Sequence, residues 1–370
     1  MTERDVYLSA GDPLPVGLLM DMPGRWSDVA ISVCELVRER YARSGRLERP
    51  IEFVVKRVLS APSAPIKNCI DGYLELADRG ALVVMGVNHS DNNIAITPYV
   101  EQRKVPLLAL GATAQALSEH MFSIAWGSIP DDAYICASWI VQQGCRNVVM
   151  TWDRAHHSAE YVQHFRIVAR RAGIRILSDE RFSQLLGDDV RKQMDETIAR
   201  FRRLEPDALV HFGTSQVSSI WAGAVTASGW NVPRVMNGAF FGAHDPTYVA
   251  GFEGWVGTTL WDDDNPTLKA LVAEYAARHP GPQPSPEILA HYHDAITATL
   301  EGVTLAGIYT PQGVKQGLES VRMLPAATGG ARTCISFGPH DHRGHKGMDL
   351  MVLRRVKGGR LVPEGHFEPF

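Results

Sequence analysis

Asn88, His89, Ser90, Asp91 and Asn92 stand in an unbroken row directly after the apolar run 81–87, and Thr113 takes a similar place after a second apolar run, 105–110. Hydroxyls, carboxamides and an imidazole grouped this way can donate to, or accept from, a small polar ligand. A serine at the head of a helix adds its hydroxyl to the free backbone N–H groups of the first turn, which suits an oxygen-bearing anion without a buried cation. The same hydroxyls can instead cap helices of the chain itself.

Such groups need a rigid support, and the flanking residues describe one. Residues 81–87 are apolar, partly β-branched and close on a glycine-containing turn, as a strand buried on both faces does. Ile94, Ile96, Tyr99 and Val100 can share one helical face, and 105–110 reads as a second buried strand. In such strand, helix, strand units the residues just past a strand's carboxyl end lie where open α/β sheets bind ligands.

The same ordered series carries a resemblance. A glycine-ending strand, an Asn/Ser-rich loop, a helix closing on Pro-Tyr-Val-Glu, then Val-Pro-Leu-Leu and Gly-Ala-Thr, resembles the type I periplasmic binding proteins in their leucine/isoleucine/valine-binding branch. The resemblance implies an α/β fold of two doubly wound lobes joined by a multi-stranded hinge, with a ligand cleft between them. Lobe one would comprise residues 1–127 and 262–328, and lobe two 128–261 and 329–370. Three chain crossings would limit the hinge's swing, and closure on a small ligand would be the mode of action. It also implies that the Ser90 and Thr113 hydroxyls, with a backbone group near Gly111, hold a ligand carboxylate. His89 and Thr214, on loops beyond strand ends, join that candidate set. Where an amino-acid binder of the family carries an acidic residue for the ligand's ammonium, the segment VMNGAFFG places Ala239. Where it carries a cleft tyrosine, this chain has His157 or a neighbour. An ammonium buried without a carboxylate partner is costly, so these departures point away from ordinary α-amino acids. A shift of two residues in the correspondence would bring Glu253 or Asp245 into play instead.

The rest of the chain repeats the alternation. Strands are expected at 14–20, 51–58, 121–125, 147–151, 174–178, 208–212 and 232–236, with helices between them at 26–42, 63–78, 131–143, 158–172, 189–203 and 216–228. Gly144, Gly173 and Gly229 sit where helices should stop. Near 255–261 the alternation is expected to break. Three helices follow at 266–278, 286–303 and 311–323, two of them opened by Ser285-Pro286 and Thr310-Pro311, a capping hydroxyl followed by proline. Residues 332–337 and 348–356, around the turn PHDHRGHKG, read as a closing β-hairpin.

Trp26, Trp126, Trp152 and Trp261 fall at expected strand ends, and aromatic walls with a few polar groups are the common composition of a small-molecule pocket. Core packing is the alternative for each. His156-His157, His291-Tyr292-His293 and His340-Asp341-His342 with His345 lack the standard zinc spacings; the last group reads as a solvated turn, and no metal or cofactor is expected. Asp131-Asp132 and Asp262-Asp263-Asp264 read as helix-start or linker carboxylates. The G-x-S-x-G elbow, the P-loop and a G-x-G-x-x-G after the first strand do not occur, so nothing in the sequence proposes catalysis.

With 370 residues, 45% hydrophobic, 21% charged and a formal net charge of −4, the composition is that of a globular chain of two domains and gives no support for nucleic-acid binding. No apolar run approaches the roughly 18 residues of a membrane span, so the protein is not membrane-integral. The five cysteines, Cys34, Cys69, Cys136, Cys145 and Cys334, show no C-x-x-C spacing and read as buried thiols. Residues 1–15 lack the basic and apolar regions of an export signal, which places the protein in the cytoplasm as written, or outside it if a signal has been removed. The implied function is a non-catalytic receptor for a carboxylate- or amide-bearing metabolite, with ABC permease subunits as partners. A cytoplasmic ligand sensor acting on a regulatory protein, and an enzyme on the same scaffold, are the rival readings.

Overall fold

Every residue of Leu14–Met20 (β1) is buried, as an uninterrupted apolar run requires in a strand covered on both faces. The computed structural model describes residues 11–22, 24–184, 187–213, 216–347 and 349–365. From β1 the chain alternates through Gly24–Ser44 (α1), Ile51–Arg57 (β2), Lys67–Asp78 (α2), Val83–Gly86 (β3), Ser90–Arg103 (α3), Leu107–Ala109 (β4) and Met121–Ser123 (β5). The five strands form one parallel sheet in the order β2-β1-β3-β4-β5. Tyr73 and Leu76 of α2 and Ile96 and Val100 of α3 close one face of it against Leu19, Val84 and Leu107.

The second alternation runs through Ile129–Gln142 (α4), Asn147–Asp153 (β6), His156–Arg171 (α5), Arg175–Phe182 (β7), Asp188–Arg202 (α6), Ala208–Phe212 (β8), Gln216–Ala227 (α7), Arg234–Met236 (β9) and Val256–Thr259 (β10). Then come Pro266–Arg278 (α8), Pro286–Thr304 (α9), Pro311–Leu318 (α10), Leu324–Pro325 (β11), Cys334–Ile335 (β12), His345–Lys346 (β13), Val352–Lys357 (β14) and Arg360–Gly365 (β15). The second sheet is ordered β15-β14-β10-β9-β8-β6-β7, parallel except for the antiparallel pairs that β14 makes with β10 and β15. Its core gathers Met194, Ile198, Trp221, Phe240, Phe252 and Trp255. The chain divides into two units, one of residues 1–126 with 261–350, the other of 127–260 with 351–370.

Helix ends follow the local chemistry. Ser285 Oγ accepts from the Glu287 N–H at 3.2 Å, and Thr310 Oγ1 from the Gly313 N–H at 3.1 Å. Asn265 caps α8 through the Thr267 N–H at 2.9 Å while its Nδ2 donates to the Ala326 carbonyl at 3.0 Å, tying that helix to the strand region behind it.

Three expectations are corrected. The second alternation does not break at 255: β10 adds a parallel strand beside β9, its apolar signal weakened by Gly257, where a Cβ would lie 2.2 Å from Phe240 Cγ. The closing hairpin is β14–β15, turning through Gly358 and Gly359 at φ +60° and +70°, whereas β12 pairs with β11 and β13 in a separate antiparallel sheet. Residues 329–350 accordingly fall in the first unit, where Arg343 bridges to Ser123 of β5. The third helix of the late group stops at Leu318.

The histidines of the PHDHRGHKG segment also depart from a solvated turn. His342 is buried, stacks on Phe122 with centroids 3.9 Å apart and hydrogen-bonds the Ser118 carbonyl at 2.8 Å. His345 is buried against Asp294. All five cysteines are free thiols, Cys334 half-buried and the other four buried. Among the described residues no helix is long and apolar enough to cross a membrane.

Candidate functional site

In the first unit the strand order reverses direction at β1, with β2 on one side and β3 on the other, so the carboxyl ends of β1 and β3 flank a crevice. Gly86 and Val87, at φ +140° and +66°, turn the chain sharply off β3. Asp21, immediately past β1, gathers the loop that follows. Its Oδ1 accepts from the Asn88 backbone N–H at 2.9 Å and from Asn88 Nδ2 at 2.7 Å, and its Oδ2 from Asn92 Nδ2 at 3.1 Å. Asn88 Oδ1 in turn accepts from Trp126 Nε1 at 3.0 Å and from the Tyr292 hydroxyl at 2.9 Å. Trp126 stacks on the buried His291 ring, centroids 3.7 Å apart. Of these, Asn88 belongs to the polar row that the sequence offers, whereas Asp21 and His291 are not indicated there as site residues; the signal for Asp21 is its place immediately after the first strand.

His89, half-buried and extended at φ −86°, ψ 126°, precedes α3 without a side-chain cap, and Ser90 is the first residue of the helix rather than its cap. The loop after β4 comes up against this first turn. A Cβ on Gly111 would lie 2.9 Å from Ser90 Cα and 3.1 Å from Ser90 N, so only glycine allows that approach. Thr113, buried two residues further on, accepts the Gln115 N–H at 3.1 Å. Ser90 and Gly111 are thus brought together, with Thr113 on the same loop. Trp26 is half-buried near the start of α1, with the Arg25 guanidinium 4.4 Å above its ring.

In the second unit the reversal falls between β6 and β8. Trp152 and Asp153 end β6. Trp152 is half-buried beneath the Arg181 guanidinium, 5.3 Å from the ring centroid. Asp153 Oδ1 accepts from Ser158 Oγ at 2.6 Å and from the Ala155 N–H at 3.1 Å, holding the entry to α5. His157, in the first turn of α5, is buried and meets Tyr161 edge-on at 6.5 Å. Behind them, His211 bridges Thr151 Oγ1 and Ser218 Oγ, each at 2.9 Å, in full burial. Asn237, past β9, accepts the Gly213 N–H at 3.2 Å and the Ala239 N–H at 3.3 Å. Thr214 lies outside the described residues.

The Ala239 side chain packs in the apolar core of the second unit. Glu253 precedes β10 and accepts the Gly358 and Gly359 N–H groups at 3.0 and 3.1 Å, and Asp245 closes a turn through the Thr247 N–H at 2.9 Å.

Asp132 also departs from expectation. It is fully buried, receiving hydroxyl hydrogen bonds from Tyr161 at 3.0 Å and from Thr258, with the adjacent Asp131 carboxylate adding like-charge repulsion. Burial pushes its carboxyl up to about 7, whereas burial pushes the His211 imidazole down to about 4. Their linkages have opposite signs. As pH rises from about 4 to 7 the unfolded state releases an Asp132 proton that the folded state keeps, so stability falls, by at most about 1.4 kcal/mol per pH unit. From about 4 to 6.5 the unfolded state takes up a His211 proton that the folded state refuses, so stability rises with pH by a comparable slope. The two largely offset. Asp132→Asn should therefore unmask the histidine, with urea midpoints giving a variant whose stability climbs by about 1–3 kcal/mol between pH 4.5 and 6.5. An Asp132→Asn profile parallel to that of the unmutated protein would show that the carboxyl does not keep its proton.

Within the first unit, Glu101, Glu119 and His120 bring possible metal-ligand atoms within 4.8 Å. Both Glu101 oxygens are already engaged, by Ser118 Oγ at 2.5 Å and His120 Nδ1 at 2.8 Å, and the Lys315 ammonium stands 4.0 Å from Glu119. That charge balance suits an ion-pair network better than a cation site.

Comparisons with known proteins extend over nearly the whole chain. A family model described as periplasmic binding protein matches residues 14–360. No curated protein matches the chain in sequence. Among solved structures, an R. palustris ABC-transporter solute-binding protein in complex with 4-hydroxybenzoate superposes with TM-score 0.77 at 16% identity, covering 96% of each chain. Another R. palustris solute-binding protein, in complex with benzoate, gives TM-score 0.75 at 18% identity over 97% of each chain. The branched-chain amino acid transporter substrate-binding protein LivJ of Streptococcus pneumoniae, in complex with isoleucine, gives TM-score 0.76 at 15% identity, over 95% of this chain and 98% of its own. At these identities the likeness establishes the two-lobed α/β architecture.

Proposed function

This chain belongs to the periplasmic binding protein family, whose members are non-enzymatic solute-binding proteins, and from that premise we propose that it is the ligand-capturing component of an ABC importer of the branched-chain amino-acid type. The ligand is a small molecule headed by a carboxylate or carboxamide, not a standard α-amino acid. One observation carries this reading: Gly111 packs directly on Ser90 at the N-terminus of α3, with Thr113 beside it on the same loop. Neutral hydroxyls and helix N–H groups in that arrangement suit an oxygen head group. The segment in which the family's amino-acid binders place an acidic residue here contributes Asn237 and the core residue Ala239, which favours ligands without an ammonium. Benzoate and 4-hydroxybenzoate, bound by the two R. palustris neighbours, are acids of that kind.

In this reading Ser90, Gly111 and Thr113 take the head group. His89, Trp26 and Trp126 in the first unit, and Trp152, His157 and Thr214 in the second, are the proposed contacts for the ligand body; Ala239 is withdrawn. Capture by closure of the lobes then presents the loaded protein to membrane permease subunits.

A thermal-shift screen of amino acids, amides, and aromatic and alicyclic carboxylates tests the ligand class, since a ligand bound only by the folded state raises Tm by mass action. Stabilisation by acids or amides and not by amino acids is expected; stabilisation by amino acids alone would overturn the class. Thr113→Val should weaken the best ligand by about 1–3 kcal/mol with Tm of the free protein little changed. Calorimetry returning an unaltered Kd would place the head group elsewhere.

A further inference from the structure

Asn93, in the first turn of α3, is completely buried, yet among the described residues neither its Oδ1 nor its Nδ2 has a hydrogen-bond partner. Its neighbour Asn92 lacks a partner only at Oδ1, among the described residues; Asn92 Nδ2 donates to Asp21, to Ser60 Oγ at 2.7 Å and to the Ala61 carbonyl at 3.2 Å. The Asn93 amide is directed at the loop after β4. A Cβ on Gly111 would lie 2.1 Å from Asn93 Nδ2 and 2.9 Å from Ser90 Cα, so the amide fills the space that the glycine leaves, beside the first residue of the helix. An uncommitted donor and an uncommitted acceptor therefore stand together at the point where Ser90 and Gly111 meet. A buried amide left wholly unpaired is unfavourable and calls for a partner that arrives from outside the chain.

The chemistry of that partner follows from what the amide lacks. A carboxylate can accept from Nδ2, but it offers Oδ1 only further acceptors. A primary carboxamide offers its carbonyl to Nδ2 and its N–H to Oδ1 in two parallel hydrogen bonds. The match survives a half-turn of the Asn93 amide, because the ligand amide can invert with it.

We propose that Asn93 is a specificity residue of the head-group site and that it selects a neutral primary carboxamide over the corresponding carboxylate. This rests on the reading that Ser90, Gly111 and Thr113 receive the ligand, and it narrows the two head groups allowed there to one.

The test compares matched pairs, benzamide against benzoate and isobutyramide against isobutyrate, by calorimetry on the whole protein and on Asn93→Leu, with Tm of each in the absence of ligand. The unmutated protein is expected to bind each amide at least about tenfold more tightly than its acid, and Asn93→Leu to collapse that ratio by about the same factor. Because leucine removes an unpaired amide at similar size, the ligand-free variant should melt no lower than the unmutated protein. A ratio favouring the acid, a ratio unchanged by the substitution, or a lowered ligand-free Tm overturns the role of Asn93 and leaves the head-group site standing. Binding of neither member of either pair overturns that site, and this inference with it. If Asn93→Leu does not fold, Asn93→Asp, which keeps the size and acceptor and loses both donors, must weaken the amide about tenfold; unchanged affinity there is equally decisive against the proposal.

Discussion

Replacing Asp294 by alanine should lower the unfolding free energy by about 3–5 kcal/mol, the cost typical of stripping one partner from a buried ionic network. Asp294 lies on α9 with no exposed surface and accepts from the Ala327 N–H at 2.7 Å, the Thr328 N–H at 2.9 Å, Thr328 Oγ1 at 2.6 Å and His293 Nδ1 at 3.0 Å, with His345 Nε2 at 3.4 Å. One carboxylate thus fixes the segment after β11, the histidine of β13 and the buried helix to one another. Alanine leaves those donors buried and without their acceptor. Desolvation pushes the carboxyl up, but hydrogen bonds and electrostatic attraction from His293 and His345 outweigh it and hold the group well below the usual carboxylate range. A depressed acid contributes stability that is present above its unfolded value near 4 and lost as pH falls through the lower folded value. The substitution should therefore also flatten the acid limb of the stability curve. Urea denaturation at pH 7 and pH 3 reads both effects. A loss under about 1 kcal/mol at pH 7 would mean that the donors find water or other acceptors and that the carboxylate is not what joins the three segments.

What the sequence made legible is governed by short-range chemistry. Buried parallel strands announce themselves as apolar runs, and β1, β8 and the strand end before Ser90 lie within a few residues of where those runs place them. Ser285 and Thr310 cap as their hydroxyl-proline pairs indicate, and Gly144, Gly173 and Gly229 end helices at φ +74°, +70° and +66°. What stayed hidden is set by partners far along the chain. Thr258, which gives Asp132 a hydrogen bond, is 126 positions away, and Thr328, which binds Asp294, is 34 away. Nothing in Asp131-Asp132 or in His293-Asp294 distinguishes a solvated carboxylate from a buried one. The short β10 fails for a related reason: Gly257 carries no side chain because Phe240 occupies its place, and that contact exists only after folding. At the candidate site, the polar row and the family pattern indicate Asn88, Ser90, Gly111 and Thr113, whereas Asp21 and Asn93 emerge only when β1, α3 and the loop after β4 converge.

Gly86→Ala should cost about 3–6 kcal/mol, combining a strained left-handed backbone with overpacking against a main chain that cannot yield. Gly86 ends β3 at φ +140°, paired in register with Leu19 of β1. A Cβ there would sit 2.0 Å from the Leu19 carbonyl oxygen, which already accepts the Val87 N–H at 3.3 Å. No side-chain rotation relieves a collision with backbone, so β3 must pull away from β1 and carry the Asn88–Ser90 loop with it. The Asp21 hydrogen bonds to Asn88 would then stretch, and ligand affinity should fall further than the stability loss alone explains in whatever folded protein remains at low temperature. Gly144→Ala supplies the control. Its φ of +74° imposes similar conformational strain, but nothing lies within 4 Å of the added Cβ, so about 1 kcal/mol is expected. Denaturant midpoints for the two variants separate steric collision from backbone strain. Equal losses would show that the approach of β3 to the Leu19 carbonyl does not fix the turn into the site.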